Sequence, residues 1–367
     1  FASVAAGYTY FRDKRDPSGN ANIPQVQIAG RTPGTMIYLG TDREASIFNT
    51  EQKSWKVAAD INWRLNNHSF LLGTTNEFFD VDYGYVNAWN GRIDYLSIDD
   101  FLNSNPYRVR GSYNYADNSR DYIHNHPAAQ FKLNNYSIYL QDEITLNDAL
   151  KLTPGLRVSI TDLPDKPLLS KKTQEIWADP NFGTTYDYTP LNRINNDFLG
   201  QVRFSPRVDI NYNPFKDKSL IIRAGAGLFT GEVPFSWLAY AYRHTGDTYG
   251  DYNQQADQVP FSSSLDPLKP GQNGIGNYIG QNGVVLNNPN SGQTELDLVD
   301  NNLEMPKYFR GNLSIDYTTK DNWKFSLEGM YEKTLKDILF QQVNVKDEPF
   351  WYGFDKEHKQ PVYSGSV

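Results

Sequence analysis

The chain has 367 residues and a net charge of −8, with a mean hydropathy of −0.63. No run approaches the ~18 consecutive apolar residues of a membrane helix. No cysteine is present, which excludes disulfides, thiolate metal sites and cysteine nucleophiles, and the acidic balance without a basic stripe argues against nucleic acid as a partner. Low hydropathy leaves a membrane β-barrel open, because alternating apolar and polar residues dilute it. The 14% of aromatic residues suits a barrel with aromatic girdles or a β-rich glycan-binding surface.

In chain order, residues 1–12 predict a strand with Val4, Tyr8 and Tyr10. A Pro-, Gly- and Asn-rich loop follows over 13–52. Residues 53–65 alternate Trp55, Val57, Ala59, Ile61, Trp63 and Leu65 with Lys56, Asp60, Asn62 and Arg64, the period of two that a strand requires. Asn66-Asn67 predicts a tight turn, and 68–81 returns as a strand with Phe70 and Leu72 on one face. The loop over 82–130 contains a helical turn over 98–102 capped by Ser97 or Asp99.

Residues 131–145 form the next strand, with Tyr136, Ile138 and Leu140 outward and Ser137, Gln141 and Glu143 inward. A turn at Asn147-Asp148-Ala149 leads to a strand ending near Thr161, and 162–199 is a second long polar loop. In the strand over 201–212, Val202, Phe204, Pro206, Val208, Ile210 and Tyr212 oppose Gln201, Arg203, Ser205, Arg207, Asp209 and Asn211. A short turn over 213–218 precedes a strand over 219–230, and the largest loop spans 231–306. Two strands, 307–318 and 323–333, close the readable pattern across a turn at 319–322, and a further loop starts beyond Val345.

These strands approach or exceed the ~9–11 residues a tilted strand needs to cross a bilayer. Their connections alternate strictly between short and long, as tight periplasmic turns and long extracellular loops do. The expected fold is all-β: an antiparallel transmembrane β-barrel with roughly nine readable strands. A soluble glycan-binding protein would show shorter strands and loops of mixed length.

At Tyr136-Ser-Ile-Tyr-Leu-Gln-Asp-Glu-Ile144, followed by Leu152-Thr-Pro-Gly-Leu-Arg157, the chain resembles TonB-dependent outer-membrane receptors, nearest the Oar-like group of Bacteroidetes-type bacteria. Gly7 to Pro17, Phe204-Ser-Pro-Arg207, Asn213-Pro-Phe215, Ile222 to Phe229 and Met305-Pro306 agree in order along nearly the whole chain. The resemblance implies a barrel of about 22 strands, an N-terminal plug, energy from the TonB system and active uptake of an external ligand. It makes residues 1–367 a middle part of the barrel domain, with plug and closing strands expected outside this sequence. The partners it implies are outer-membrane lipid and lipopolysaccharide, TonB through the plug, and a surface lipoprotein or larger outer-membrane complex. The competing role within the same fold is a non-transporting barrel scaffold for secretion or adhesion.

Neither a catalytic constellation nor a cofactor motif is apparent, so the expectation is no enzyme and no cofactor. His124 and His126 with Asp117 and Asp121 are a metal candidate that reads better as solvated loop. Asp99 and Asp100 lack calcium-loop spacing, and Gly271-Gln-Asn-Gly-Ile-Gly276 lacks the strand and helix that phosphate binding needs. Expected to line the lumen are Glu143, Arg157, Arg203, Arg207, Asp209, Arg223, Arg310, Asp316 and Glu328, either as channel wall or as cross-strand ion pairs that fix register. Candidate ligand-stacking aromatics in the loops are Trp89, Trp177, Trp237, Tyr240, Tyr242, Tyr249 and Tyr252, which serve equally well to pack the loops. A short helix over 237–242 favours packing.

Overall fold

The computed structural model describes all residues except 16–17, 19–23, 42–46, 87–90, 115–124, 126–128, 170–182, 216, 246–248, 256–295, 347–350, 354–359 and 363–367. The strands are β1 (Ala2–Arg15), β2 (Gln25–Ala29), β3 (Met36–Leu39), β4 (Ile47–Leu65), β5 (His68–Val86), β6 (Arg92–Tyr95) and β7 (Arg108–Asn114). They continue with β8 (Ala129–Asn147), β9 (Leu150–Asp162), β10 (Arg203–Tyr212), β11 (Leu220–Thr230), β12 (Tyr249–Gln255), β13 (Lys307–Thr318) and β14 (Lys324–Lys336). A hairpin of β15 (Trp351–Gly353) and β16 (Gln360–Val362) ends the series. Two α-helices are described, α1 (Ile98–Leu102) and α2 (Phe235–Arg243).

Nine strands form one antiparallel sheet in the order β1-β4-β5-β8-β9-β10-β11-β13-β14, the simple up-and-down order of a barrel wall. Its hairpins close on side chains suited to the turn. Asn66 sits at φ 55° and Asn322 at φ 62°, where asparagine is tolerated. At the β8–β9 turn the Asn147 Oδ1 accepts from the backbone N–H of Ala149 at 2.9 Å and of Leu150 at 3.0 Å. Asn66→Val places a β-branched residue in the left-handed region and is expected to cost about 1–2 kcal/mol, while Asn66→Gly leaves stability nearly unchanged. Urea midpoints of the two variants check this, and equal midpoints would refute the turn argument.

Register gives each strand two unlike faces. On the outer face Trp63 lies opposite Phe70 and Trp55 opposite Phe78; Tyr8 lies opposite Trp55, and Phe78 packs edge-on to Tyr136. Between these aromatic rows stand Ile61, Leu72, Ile138, Leu140 and Leu156, large apolar groups turned to the outside. The rows are separated by about eight residues, or ~26 Å along a strand, against an apolar band ~25 Å tall in membrane barrels.

Strands β4, β5 and β8 are longer than the sequence pattern suggests, and the reason is a change of polarity. Beyond Phe78 the alternation continues with its faces exchanged. Phe79, Val81 and Tyr83 now point inward and Asp80 and Asp82 outward; on β8, Phe131 and Leu133 point inward and Gln130 and Lys132 outward. The inward groups form a buried core with Leu163, Phe198, Val233, Leu238, Ala239 and Met305 from the long connections. The sheet therefore continues past the apolar band and encloses a small protein-like core at its long-loop end.

The connections over 13–52 and 82–130 and the largest loop, expected as loops apart from strand ends and one helical turn, contribute a second sheet of order β12-β7-β6-β2-β3, in which β2 and β6 run parallel. Val26, Ile28, Ile93 and Tyr95 are its buried core. The Ser97 hydroxyl caps α1, accepting from Asp100 N–H at 3.0 Å, and Phe101 packs edge-on against Tyr95. Beyond Val345, where a loop was expected, lies the β15–β16 hairpin.

Candidate functional site: the polar interior wall and its cap

The face opposite the apolar band is polar and hydrogen-bonded from strand to strand. Lys56 on β4 lies directly across from Glu77 on β5 and reaches it at 2.7 Å. Tyr139 on β8 spans β5 where Gly73 leaves room, since a Cβ there would sit 2.5 Å from Tyr139 Cζ. Its hydroxyl donates to Asp60 on β4. The Ser137 hydroxyl donates to the Thr75 carbonyl at 2.8 Å and accepts from Arg157 Nη2 at 2.8 Å. Thr161 donates to Asn135 Oδ1 at 2.6 Å and accepts from Arg203 Nη2 at 2.8 Å.

All nine charged residues expected in the lumen sit on this face. Glu143 pairs with Lys151 at 2.7 Å, Arg223 with Asp316 at 2.5 Å, and Arg310 with Glu332. Asp316 also accepts from Ser326 at 2.7 Å. Arg207 donates to Gln141 Oε1 at 2.5 Å; Asp209 lies across from Gly225, and Glu328 across from Ser314. Sequence reading set Lys56 and Asp60 on the polar face of their strand but missed the pairs Lys56–Glu77 and Asp60–Tyr139. The first pair was recoverable, because a two-residue turn at Asn66-Asn67 dictates that Lys56 faces Glu77.

A polar cavity of about 290 Å³ opens on this wall, lined by Glu77, Asn135, Arg157, Thr161, Arg203 and Glu232 among others. Glu232 follows the end of β11. Loss of hydration there and the neighbouring Glu77 push its carboxyl up from the ordinary carboxylate range, with Arg203 and Arg157 opposing.

Above the cavity the cap is built on α2. Leu238, Ala239 and Ala241 are buried, Phe235 packs edge-on to Phe79 at 4.9 Å, and Tyr242 stacks on Phe131 at 4.7 Å. Burial pushes the Tyr242 phenol above its ordinary value, and its hydroxyl donates to the Asp165 carbonyl. Tyr242, a ligand candidate by sequence, is thus partly buried and packs against the core.

Trp237 and Tyr240, on the same helix, remain 40% and 38% exposed. Trp237 packs edge-on to Phe340, and Tyr240 stacks on His244. Tyr249 and Tyr252 belong to β12 by backbone. Trp89, Trp177, the His124/His126 group with its aspartates and the Gly271–Gly276 stretch lie outside the described residues. Among the described residues no group of three or more potential metal ligands occurs.

An apolar girdled face, a polar interior and an up-and-down sheet with alternating short and long connections define the wall of a membrane β-barrel. The chain belongs to the outer membrane beta barrel domain family, whose model matches residues 3–348. No curated protein matches the sequence.

Among solved structures, the chain is similar to the outer membrane transporter YddB from Escherichia coli, with 12% identity over 91% of this chain and 40% of that one and a TM-score of 0.41. It is similar to the copper transporter OprC, with 12% identity over 91% and 43% and a TM-score of 0.38. For the P. putida toluene transporter TodX the values are 6%, 90%, 63% and 0.32. The chain spans between 40% and 63% of the length of these three proteins. The protein resides in the bacterial outer membrane, its apolar face meeting lipid and lipopolysaccharide. The short turns are then periplasmic and the capped end extracellular.

Proposed function

We propose that this barrel is the wall of a TonB-dependent receptor that takes up an external solute across the outer membrane. The motifs Tyr136 to Ile144 and Leu152 to Arg157, which resemble those of the Oar-like group, support the reading. The observation that carries it is a continuous polar interior wall beneath a folded extracellular cap, with a polar cavity opening on that wall. In this reading Trp237 and Tyr240, exposed on the cap, meet the solute first, while the interior wall supplies polar surface along its route. The work is binding and passage, with no bond made or broken in the solute.

The test uses cells carrying the full-length protein. Photo-cross-linking is expected to capture it with the periplasmic part of TonB, and gene deletion or a proton uncoupler to stop depletion of one solute from the medium. Absence of both results would overturn uptake and leave the scaffold reading, for which a co-purifying surface lipoprotein or larger assembly is the expected finding.

A further inference from the structure

Strands β9 and β10 bring three arginines together on the interior face. Register places Arg203 opposite Ser159, Ser205 opposite Arg157, and Arg207 opposite Gly155. Each donates to a neutral oxygen, of Thr161, Ser137 and Gln141 respectively. None of the three forms an ion pair among the described residues. Their neighbours on the wall behave differently, since Lys56, Lys151, Arg223 and Arg310 are each matched to a carboxylate. Register-fixing ion pairs account for those four and leave the arginine group unexplained.

Arg157 and Arg203 both line the 290 Å³ cavity. Arg203 Nε and Nη1 are buried with no acceptor, a costly state for donors on a cation. The carboxylates nearby do not meet the need. Glu77 is held by Lys56, and Glu232, at the rim, makes no ion pair with either arginine among the described residues. The Ser137 and Thr161 hydroxyls already donate to Thr75 and Asn135, so they act as acceptors that orient the two guanidinium groups. A guanidinium presents planar, paired donors whose spacing fits the oxygens of a carboxylate or phosphate. The volume lies at the small end of ligand sites, ~300–1,000 Å³, which suits a small anion.

We propose that this cavity binds a small oxyanion, a carboxylate or phosphate group of a free solute, held by Arg157 and Arg203. The site stands whether or not the barrel imports that solute, because occupancy requires no energy coupling.

Calorimetric titration of the purified full-length protein in detergent tests it, with inorganic phosphate and succinate as separate probes at low ionic strength. At least one probe is expected to bind with 1:1 stoichiometry. Arg203→Gln should weaken that binding about tenfold or more, and Arg203→Lys, which keeps the charge without the fork, by a smaller factor. Glu232→Gln removes the rim carboxylate and should tighten it a few-fold. Arg223→Gln, whose partner Asp316 lies outside the cavity, should leave it unchanged. If Arg203→Gln fails to fold, the Arg203→Lys and Glu232→Gln affinities decide. Failure of the wild-type protein to bind either anion, as when a carboxylate of the protein itself fills the site, would overturn the proposal. So would binding indifferent to the folded cavity variants.

Discussion

Arginine in place of Ile138 is expected to destabilise the barrel by about 2–4 kcal/mol, the cost of a charge near the bilayer midplane on a lipid-facing strand position. Ile138 lies on the outer face of β8, opposite Thr74 on β5 and Val158 on β9, and is 54% exposed. That exposure is to lipid, so the substitution fails by placing a cation in hydrocarbon rather than by disturbing a core. The matched control is Glu328→Arg on the interior face of β14, which reverses a charge facing water and should change stability by less than about 0.5 kcal/mol. Reversible urea unfolding in lipid vesicles compares the two. Equal costs would mean that the assignment of faces is wrong.

Phe131→Ala is expected to show that the cap is a separate unit of stability. Phe131 is 2% exposed, stacks on Tyr242 and meets Phe235 edge-on at 6.3 Å. Truncating a buried phenylalanine typically costs about 3–5 kcal/mol. Here the loss falls on the contacts that hold α2 against β5 and β8. Hydrogen exchange should therefore accelerate over Phe235–Arg243, while the short-turn end of β13, from Leu313 to Thr318, keeps its protection. Uniform acceleration through β13 would show that cap and wall unfold as one. An unchanged α2 would show that the helix is held by something other than this core.

The nine membrane strands were legible because lipid on one side and a polar interior on the other impose the same two-residue period on every strand. What misled was the level at which the period changed sign. Phe79 and Val81 alternate as regularly as Phe70 and Leu72, but with the apolar group on the opposite face, so β5 looked finished near Val81 although it continues to Val86. The second sheet was not legible. Its strands are four to seven residues long, come from separate connections and include the parallel pair β2–β6, and only β2 and β3 are joined by a tight turn, at Pro33-Gly34. Of the interior site, the arginines were visible one by one. Their shared lack of carboxylate partners appears only once β9 and β10 are set side by side.

The exchange of faces also fixes how deep the barrel sits. On the outer surface just above the aromatic row, Lys53 lies opposite Asp80, and Asp80 opposite Lys132, on three consecutive strands. A slide toward the periplasm by one pleat, about two residues or ~6–7 Å, would carry these charges toward the hydrocarbon together while lifting no apolar group out of water. Charges on a lipid-facing strand grow more costly with depth, so the penalty rises steeply with the first few ångströms. The wall thus has a built-in waterline, and the cap rides at a set height above the lipid.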